Sequence, residues 1–378
     1  MIYLDNAATS FPKPEETIDS VHHFLTFSGG NPGRGGHPLS IDAARIVFEA
    51  REGLSSFING KRSERLIFTQ NGTESLNLAI LGLIGEGDHV VTTALEHNSV
   101  MRPLDFLTKT RHVQVSVVPC SPAGSLDLKA LKKAVSRRTK AVVVNHGSNI
   151  LGTVQPLDGV REAIGDRLLI LDACQTIGNV PIDVQKDAID VICFSCHKAL
   201  FGIQGLGAVY LREGVDPIPL KFGGTGSNSE FTEQPTALPD RYESGTPATP
   251  AIAGLLGGLK FIDRKGLKEI VGKKRAATER ILEGLQRIPG IRVYGEMERG
   301  DHSLPIVLMN VDNKEPSEVG HACNRADISV RVGLHCAPMA HRTLGTFPGG
   351  GVRISPGYFT RDDEIDRLME VMRTIAAR

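Results

Sequence analysis

Four short stretches place reactive residues or glycine directly after apolar runs. Asp172 closes Leu169-Ile170-Leu171, and Gln175 follows three positions later. Lys198 follows Cys193-Phe194-Ser195-Cys196-His197 and precedes Gly202, Gly205 and Gly207. Asn71-Gly72-Thr73 follows Leu66-Ile67-Phe68, and His97 comes just past the apolar run 90–95. Taken singly, each has a plain reading. An Asp caps a turn, a Lys is solvated, and a His is satisfied locally. Taken together they fit the needs of one cofactor, pyridoxal 5'-phosphate. That group needs a lysine to carry it, an acid to keep its ring nitrogen protonated, a phosphate cradle, a flat side chain over the ring and a donor to the ring hydroxyl. Lys198, Asp172, Thr73 with Ser195 and His197, His97, and Gln175 can fill those roles. The free amides of Gly72 and Thr73 at a helix start suit a phosphate.

Such residues converge only if the apolar runs are strands with aligned carboxyl ends. From residue 65 onward, short β-branched runs alternate with amphipathic stretches. The alternation predicts strands over 65–69, 89–94, 113–119, 140–145, 168–172, 190–195 and 206–211, with helices over 74–84, 100–109, 127–135 and 157–164. Several strands are apolar nearly throughout. The expected fold is therefore α/β, with a large domain whose mostly parallel sheet is covered by helices on both faces. Ligands of such sheets sit at the carboxyl ends of the strands.

Near residue 250 the pattern changes. Helices are predicted over 255–264, 268–287 and 362–376, and strands over 291–294, 305–311, 329–332 and 352–354. These make a smaller C-terminal α+β domain, with the boundary near the turn-rich Glu243-Ser244-Gly245-Thr246-Pro247. The domains are expected at 1–250 and 251–378, with roughly the first 15 residues packing against the smaller one.

Composition excludes several alternatives. Lys plus Arg and Asp plus Glu are both 43, so no basic excess favours nucleic acid or an anionic membrane. No apolar run approaches the ~18 residues of a membrane span, and Met1–Asp5 meets a charge too early for a secretory signal, so a cytoplasmic protein is expected. The six cysteines are widely scattered, which favours reduced thiols. No metal site is expected, because His335, Cys336 and His341 lack a second spaced ligand pair. Glycine is abundant, 41 of 378 residues against a usual ~7%, and points to tight turns or backbone lying close to a ligand. No glycine fingerprint follows a first strand, which argues against a nicotinamide dehydrogenase.

The order of motifs resembles the cysteine desulfurase family, within the class V aminotransferase group of fold type I pyridoxal-phosphate enzymes. The matching stretches run nearly end to end: YLDNAAT from Tyr3, NGTESLN from Asn71, EHNS from Glu96, SNILGT from Ser148, LDACQTIG from Leu171, SCHKALFG from Ser195, ESGTP from Glu243 and RVGLHCAP from Arg331. The resemblance implies that Lys198 carries the cofactor, Asp172 pairs its ring nitrogen, and His97 stacks on the ring beside Gln175 and Asn149. It implies a phosphate held by Gly72, Thr73, Ser195 and His197, and by Thr246 reaching across from a second subunit, hence a homodimer with a shared active site. Arg353 would bind the substrate carboxylate, which suits a bidentate guanidinium, with Asn149 beside the substrate.

Cys336 would be the nucleophile that takes sulfur from L-cysteine, leaving alanine and a persulfide. That sulfur would pass to an acceptor protein, as in iron–sulfur cluster biogenesis. Catalysis would rest on Lys198, Cys336 and His97. The alternative within the resemblance is a selenocysteine lyase or a class V aminotransferase or lyase acting on another small amino acid. Departures from the family pattern are Val332 and Leu334 before Cys336, Cys196 in place of glycine, the turn 223–228 and the glycine-rich loop between Cys336 and Arg353.

Overall fold

A computed structural model describes every residue except Arg34, Asn228, residues 296–302 and Arg378; Asn228, in the glycine turn noted above, thus lies outside the described residues. The chain opens with a short strand, β1 (Ile2–Tyr3), and two helices, α1 (Glu15–Phe27) and α2 (Pro38–Phe57). The central strands are β2 (Leu66–Thr69), β3 (His89–Thr93), β4 (Gln114–Val118), β5 (Thr139–Asn145), β6 (Leu168–Asp172), β7 (Val191–Ser195) and β8 (Gly207–Leu211). Between the strands from β2 to β6 run α3 (Gly72–Leu83), α4 (Asn98–Arg111), α5 (Leu128–Ala134) and α6 (Leu157–Ile164).

The seven strands form one sheet in the order β2-β8-β7-β6-β5-β3-β4. Only β8 runs against its neighbours. Both faces are covered, and the strands show how. Along β5, Val142 and Val144 join the core under α2, α5 and α6. Ala141 and Val143 point the other way, into the core under α3 and α4. A strand buried on both faces must be apolar throughout, which is why these runs lacked alternation.

The remaining elements are α7 (Thr249–Lys265), α8 (Leu267–Gln286), β9 (Ile291–Tyr294), β10 (Val307–Val311), α9 (Pro316–Arg325), β11 (Ile328–Ser329), β12 (Arg331–Gly333), α10 (Pro338–Thr343), β13 (Gly351–Ile354) and α11 (Asp362–Ala376). An antiparallel sheet, β12-β13-β10-β9, shares a core with α8, α9 and α11. Two expectations change here. The strand expected at 329–332 divides at Val330: Ile328–Ser329 pairs in parallel with β1, while Arg331–Gly333 joins β13. Helix α7, expected among the C-terminal elements, packs instead on α1 and α2. Its Ile252, Leu255, Phe261 and Ile262 belong to the core of the large sheet.

The first residues lie against the C-terminal unit. Besides the β1–β11 pairing, Asp5 bridges to Ser355, and the Ala7 N–H donates to Ser355 Oγ at 2.9 Å. The same segment is also tied to the large sheet, where Thr9 Oγ1 and Lys13 Nζ donate to the His197 carbonyl at 3.1 and 2.8 Å.

Candidate active site

The carboxyl ends of the parallel strands open into a cavity of about 330 Å3 that also receives residues from the C-terminal unit. Asp172, Lys198, Gln175, His97, Gly72, Thr73, Ser195, His197, Asn149, Cys336 and Arg353 all line it, and Thr246 does not. Thr246 is exposed on the segment before α7.

Asp172 is buried at the end of β6, where Oδ1 accepts the Cys174 N–H at 2.9 Å. Lys198 follows β7. Burial pushes its ammonium toward the neutral amine, with the Asp172 carboxylate pulling the other way. Gln175 donates one amide N–H to the Ala7 carbonyl at 2.9 Å.

His97 caps α4, and its tautomer follows from its contacts. The Ser99 N–H donates to Nδ1 at 3.0 Å, so the proton of the neutral ring sits on Nε2. Burial lowers the pKa of His97, which keeps that ring neutral. Ser99 Oγ bridges His97 Nδ1 and Thr73 Oγ1, each at 2.8 Å.

Gly72 starts α3, with Asn71 as its cap accepting the Glu74 N–H at 2.9 Å. The Gly72 N–H donates to Ser195 Oγ at 3.2 Å. A Cβ at position 72 would stand 2.5 Å from Cys174 Sγ and 2.7 Å from Ser195 Oγ, so any side chain there must displace one or both. Beside this helix start, His197 has a buried Nδ1 without a partner, and burial drives its pKa down to about 4. A helix N-terminus lined by hydroxyls is a natural anion cradle. Cradle, buried acid and buried amine within one cavity fit the donor set that pyridoxal phosphate requires.

Arg353, on β13, is 3% exposed and joined to the far end of the chain. It donates to Asp5 Oδ1 and to the Asn149 carbonyl, both at 2.9 Å, while its buried Nε lacks a partner. The Asn149 side chain donates to the His335 carbonyl at 2.8 Å and leaves a buried Oδ1 unpartnered. An unspent guanidinium N–H and an unspent amide oxygen suit the carboxylate and ammonium of an amino acid. Asp5 also pairs with Arg331 at 3.0 Å, so one carboxylate orients two cationic side chains that line the cavity.

Cys336 is exposed, in the turn between β12 and α10. His335 and Cys336 both take left-handed backbone angles, with φ of 49° and 56°. Two such non-glycine residues in succession are held only by surrounding contacts. The Asn98 N–H donates to the Cys336 carbonyl at 2.8 Å, tying the turn to the start of α4.

Four further residues at or behind the site carried no role in the sequence. Cys174 lies against the cradle, with its thiol pushed far up by burial. Arg331 and His335 line the cavity inside the RVGLHCAP stretch. Glu96, in the EHNS stretch, lies just behind the site. It is fully buried and accepts from Thr93 Oγ1 and the Asn145 N–H at 2.7 and 2.9 Å; burial raises its carboxyl to about 8.

Comparison with known proteins gives the family. The family model for aminotransferase class-V matches residues 2–368. A probable cysteine desulfurase 2 of Mycobacterium leprae is 32% identical over 98% of this chain and 90% of its own length. A probable cysteine desulfurase of Mycolicibacterium paratuberculosis is 34% identical across the whole chain, which spans 55% of that longer relative. Among solved structures, the apo cysteine desulfurase of Thermococcus onnurineus superposes with a TM-score of 0.92 at 30% identity, covering all of this chain and 94% of that one. The chain belongs to the class-V aminotransferases and, within them, to the cysteine desulfurase family.

Proposed function

We propose that this chain removes sulfur from L-cysteine, using pyridoxal phosphate held in the cavity, and receives that sulfur on Cys336. The observation that carries the reading is that Lys198, Asp172, Arg353 and Cys336 line one cavity although they come from both structural units. Lys198 would carry the cofactor and Asp172 would keep its ring nitrogen protonated. Gly72, Thr73, Ser195 and His197 would hold its phosphate, and His97 and Gln175 would flank the ring. Bound there, the cofactor supplies an electron sink for the bonds at Cα of the substrate.

The protein's own groups do the rest. Arg353, oriented by Asp5, binds the substrate carboxylate with Asn149 beside it. Burial lowers the Lys198 pKa, so its amine can accept the Cα proton at Nζ. The Cys336 thiolate then attacks the substrate sulfur. An S–S bond forms, the Cβ–S bond breaks, and its electron pair stays on carbon, which takes a proton to become the alanine methyl group. Cys336 retains the sulfur as a persulfide, and His97, with its proton on Nε2, would move a proton as the sulfur departs. The exposure of Cys336 suits delivery to an acceptor protein.

We further propose a homodimer in which Thr246 completes the partner's phosphate site. Thr246 is exposed and does not line its own cavity, and large apolar side chains lie exposed at helical spacing on the first two helices: Ile18 and Leu25 on α1, Ile41 and Phe48 on α2. The described residues contain no helix long and apolar enough to cross a membrane, and all six cysteines are free, in keeping with a reducing, cytoplasmic setting.

The test incubates the purified protein with L-cysteine and measures alanine and sulfide for wild type, Cys336→Ala and Lys198→Ala. Wild type should release both, and each variant should lose sulfide release. Undiminished sulfide from Cys336→Ala ends the nucleophile role; a keto acid in place of alanine would mean transamination.

A further inference from the structure

The loop that departs from the family pattern contains a buried side-chain chain ending at the Cys336 turn. His341, on α10, is fully buried, and its Nε2 lies 3.3 Å from His335 Nδ1. His335 Nε2 lies 3.3 Å from the Arg331 carbonyl, and His341 Nδ1 lies 2.7 Å from Thr346 Oγ1. The two imidazoles stack with centroids 5.5 Å apart.

The direction of every bond follows from the one group that can only accept. The Arg331 carbonyl has no proton, so His335 Nε2 must donate to it. Burial and the nearby cations of Arg353 and Arg331 keep His335 neutral, with its pKa lowered to about 3. Its Nδ1 is therefore bare and accepts from His341 Nε2. Burial keeps His341 neutral as well, near 4, so its Nδ1 accepts the Thr346 hydroxyl proton. Thr346 Oγ1 also lies 3.3 Å from the His341 carbonyl, but its single proton goes to the shorter contact. The result is a one-way chain, Thr346 to His341 to His335 to Arg331.

We propose that His341 is a positioning residue for sulfur transfer: by donating from Nε2 to His335 Nδ1, it holds the left-handed His335–Cys336 turn and presents the Cys336 thiol to the cavity. The backbone of the same turn is tied by the Asn149 side chain at the His335 carbonyl and the Asn98 N–H at the Cys336 carbonyl. The His335 ring supplies a third, side-chain tether to this left-handed backbone. The inference rests on the reading of Cys336 as the sulfur acceptor.

The test compares holoenzyme carrying His341→Leu, His341→Gln and Thr346→Val. Gln keeps an N–H donor near the position of Nε2; Leu keeps bulk without a donor. Three quantities are read: the cofactor spectral titration with L-cysteine, the single-turnover rate of persulfide formation on Cys336, and the rate of Cys336 alkylation by iodoacetamide. His341→Leu should slow persulfide formation about tenfold and change the alkylation rate, as loss of one buried hydrogen bond predicts. Its L-cysteine titration midpoint should stay at the wild-type value, and His341→Gln should recover most of the rate. Thr346→Val, at the far end, should shift the same rates by a smaller factor and serves if His341→Leu does not fold. Wild-type transfer in His341→Leu, or equal impairment in the Leu and Gln variants, overturns the proposal. Alkylation reads thiol presentation without turnover, so it separates this failure from failure of Cys336 as acceptor.

Discussion

Replacing Gly72 by alanine probes the proposed phosphate cradle with a single methyl group. The new Cβ would meet Cys174 Sγ at 2.5 Å and Ser195 Oγ at 2.7 Å, with the Phe194 carbonyl carbon at 3.4 Å. Ordinary non-bonded contacts need ~3.5–4.0 Å, so these atoms must separate by about 1 Å. Either α3 lifts from the end of β7, or Cys174 and Ser195 swing aside; both break the Gly72–Ser195 bond of 3.2 Å. Either shift displaces an amide or hydroxyl from a bound anion, and one charge-assisted hydrogen bond is worth about 1.5–3 kcal/mol, which corresponds to roughly a 10- to 150-fold loss of affinity for whatever the cradle holds. The assay titrates apoprotein with pyridoxal phosphate and, separately, with pyridoxal, following the absorbance that develops. Pyridoxal phosphate should bind more weakly by that factor, while pyridoxal should be little affected. Adding Cys174→Ala removes the nearest atom and should restore part of the loss. If both ligands weaken equally, or if pyridoxal phosphate binds Gly72→Ala as it binds wild type, the cradle is not where the phosphate sits.

Two further perturbations concern the frame around the site. Arg51 is 7% exposed and makes a two-pronged pair with Glu243 at 2.6 and 2.7 Å, and Glu243 also accepts the Phe68 N–H at 2.6 Å. Arg51→Met strands that carboxylate and should cost about 3–5 kcal/mol in denaturant unfolding, with the double variant Arg51→Met, Glu243→Gln less damaged; a loss below about 1 kcal/mol in the single variant would show that the pair is not coupled. Glu96 is protonated in the fold up to about 8, against an ordinary 4.5. The folded state therefore binds the extra proton, and stability should fall as pH rises from about 4.5 to 8. Glu96→Gln should remove that slope, seen as a smaller gap between denaturation midpoints at acid and alkaline pH; an unchanged gap refutes the assignment.

The parts of the site that were legible in the sequence sit at the ends of unmistakable strands. Asp172 and Lys198 follow runs buried on both faces, and such runs announce their own carboxyl ends. The helices α1 and α2 were not legible, because they carry apolar residues on two sides. Ala43, Ala50 and Leu54 face the core while Ile41 and Phe48 face outward, so the period is blurred. The division of the 329–332 strand turns on Val330, where pairing passes from β1 to β13, a choice made by tertiary contacts. Glu96 was visible only as a letter in a motif, since its character comes from complete burial behind β5. His341 gained meaning once α10 brought it against His335, and local pattern does not reveal such a pairing.

The first residues of the chain also constrain when the site can exist. Asp5 holds Arg353, and Asn6 Nδ2 donates to the Ser355 carbonyl across 349 positions at 3.1 Å. During synthesis Asp5 and Asn6 must therefore wait for these partners until residues 353–355 have left the ribosome, although Thr9 and Lys13 can dock earlier on the His197 carbonyl. Until that late closure Arg353 has no orienting carboxylate, so under the proposed function an unfinished chain would lack the group that binds the substrate carboxylate.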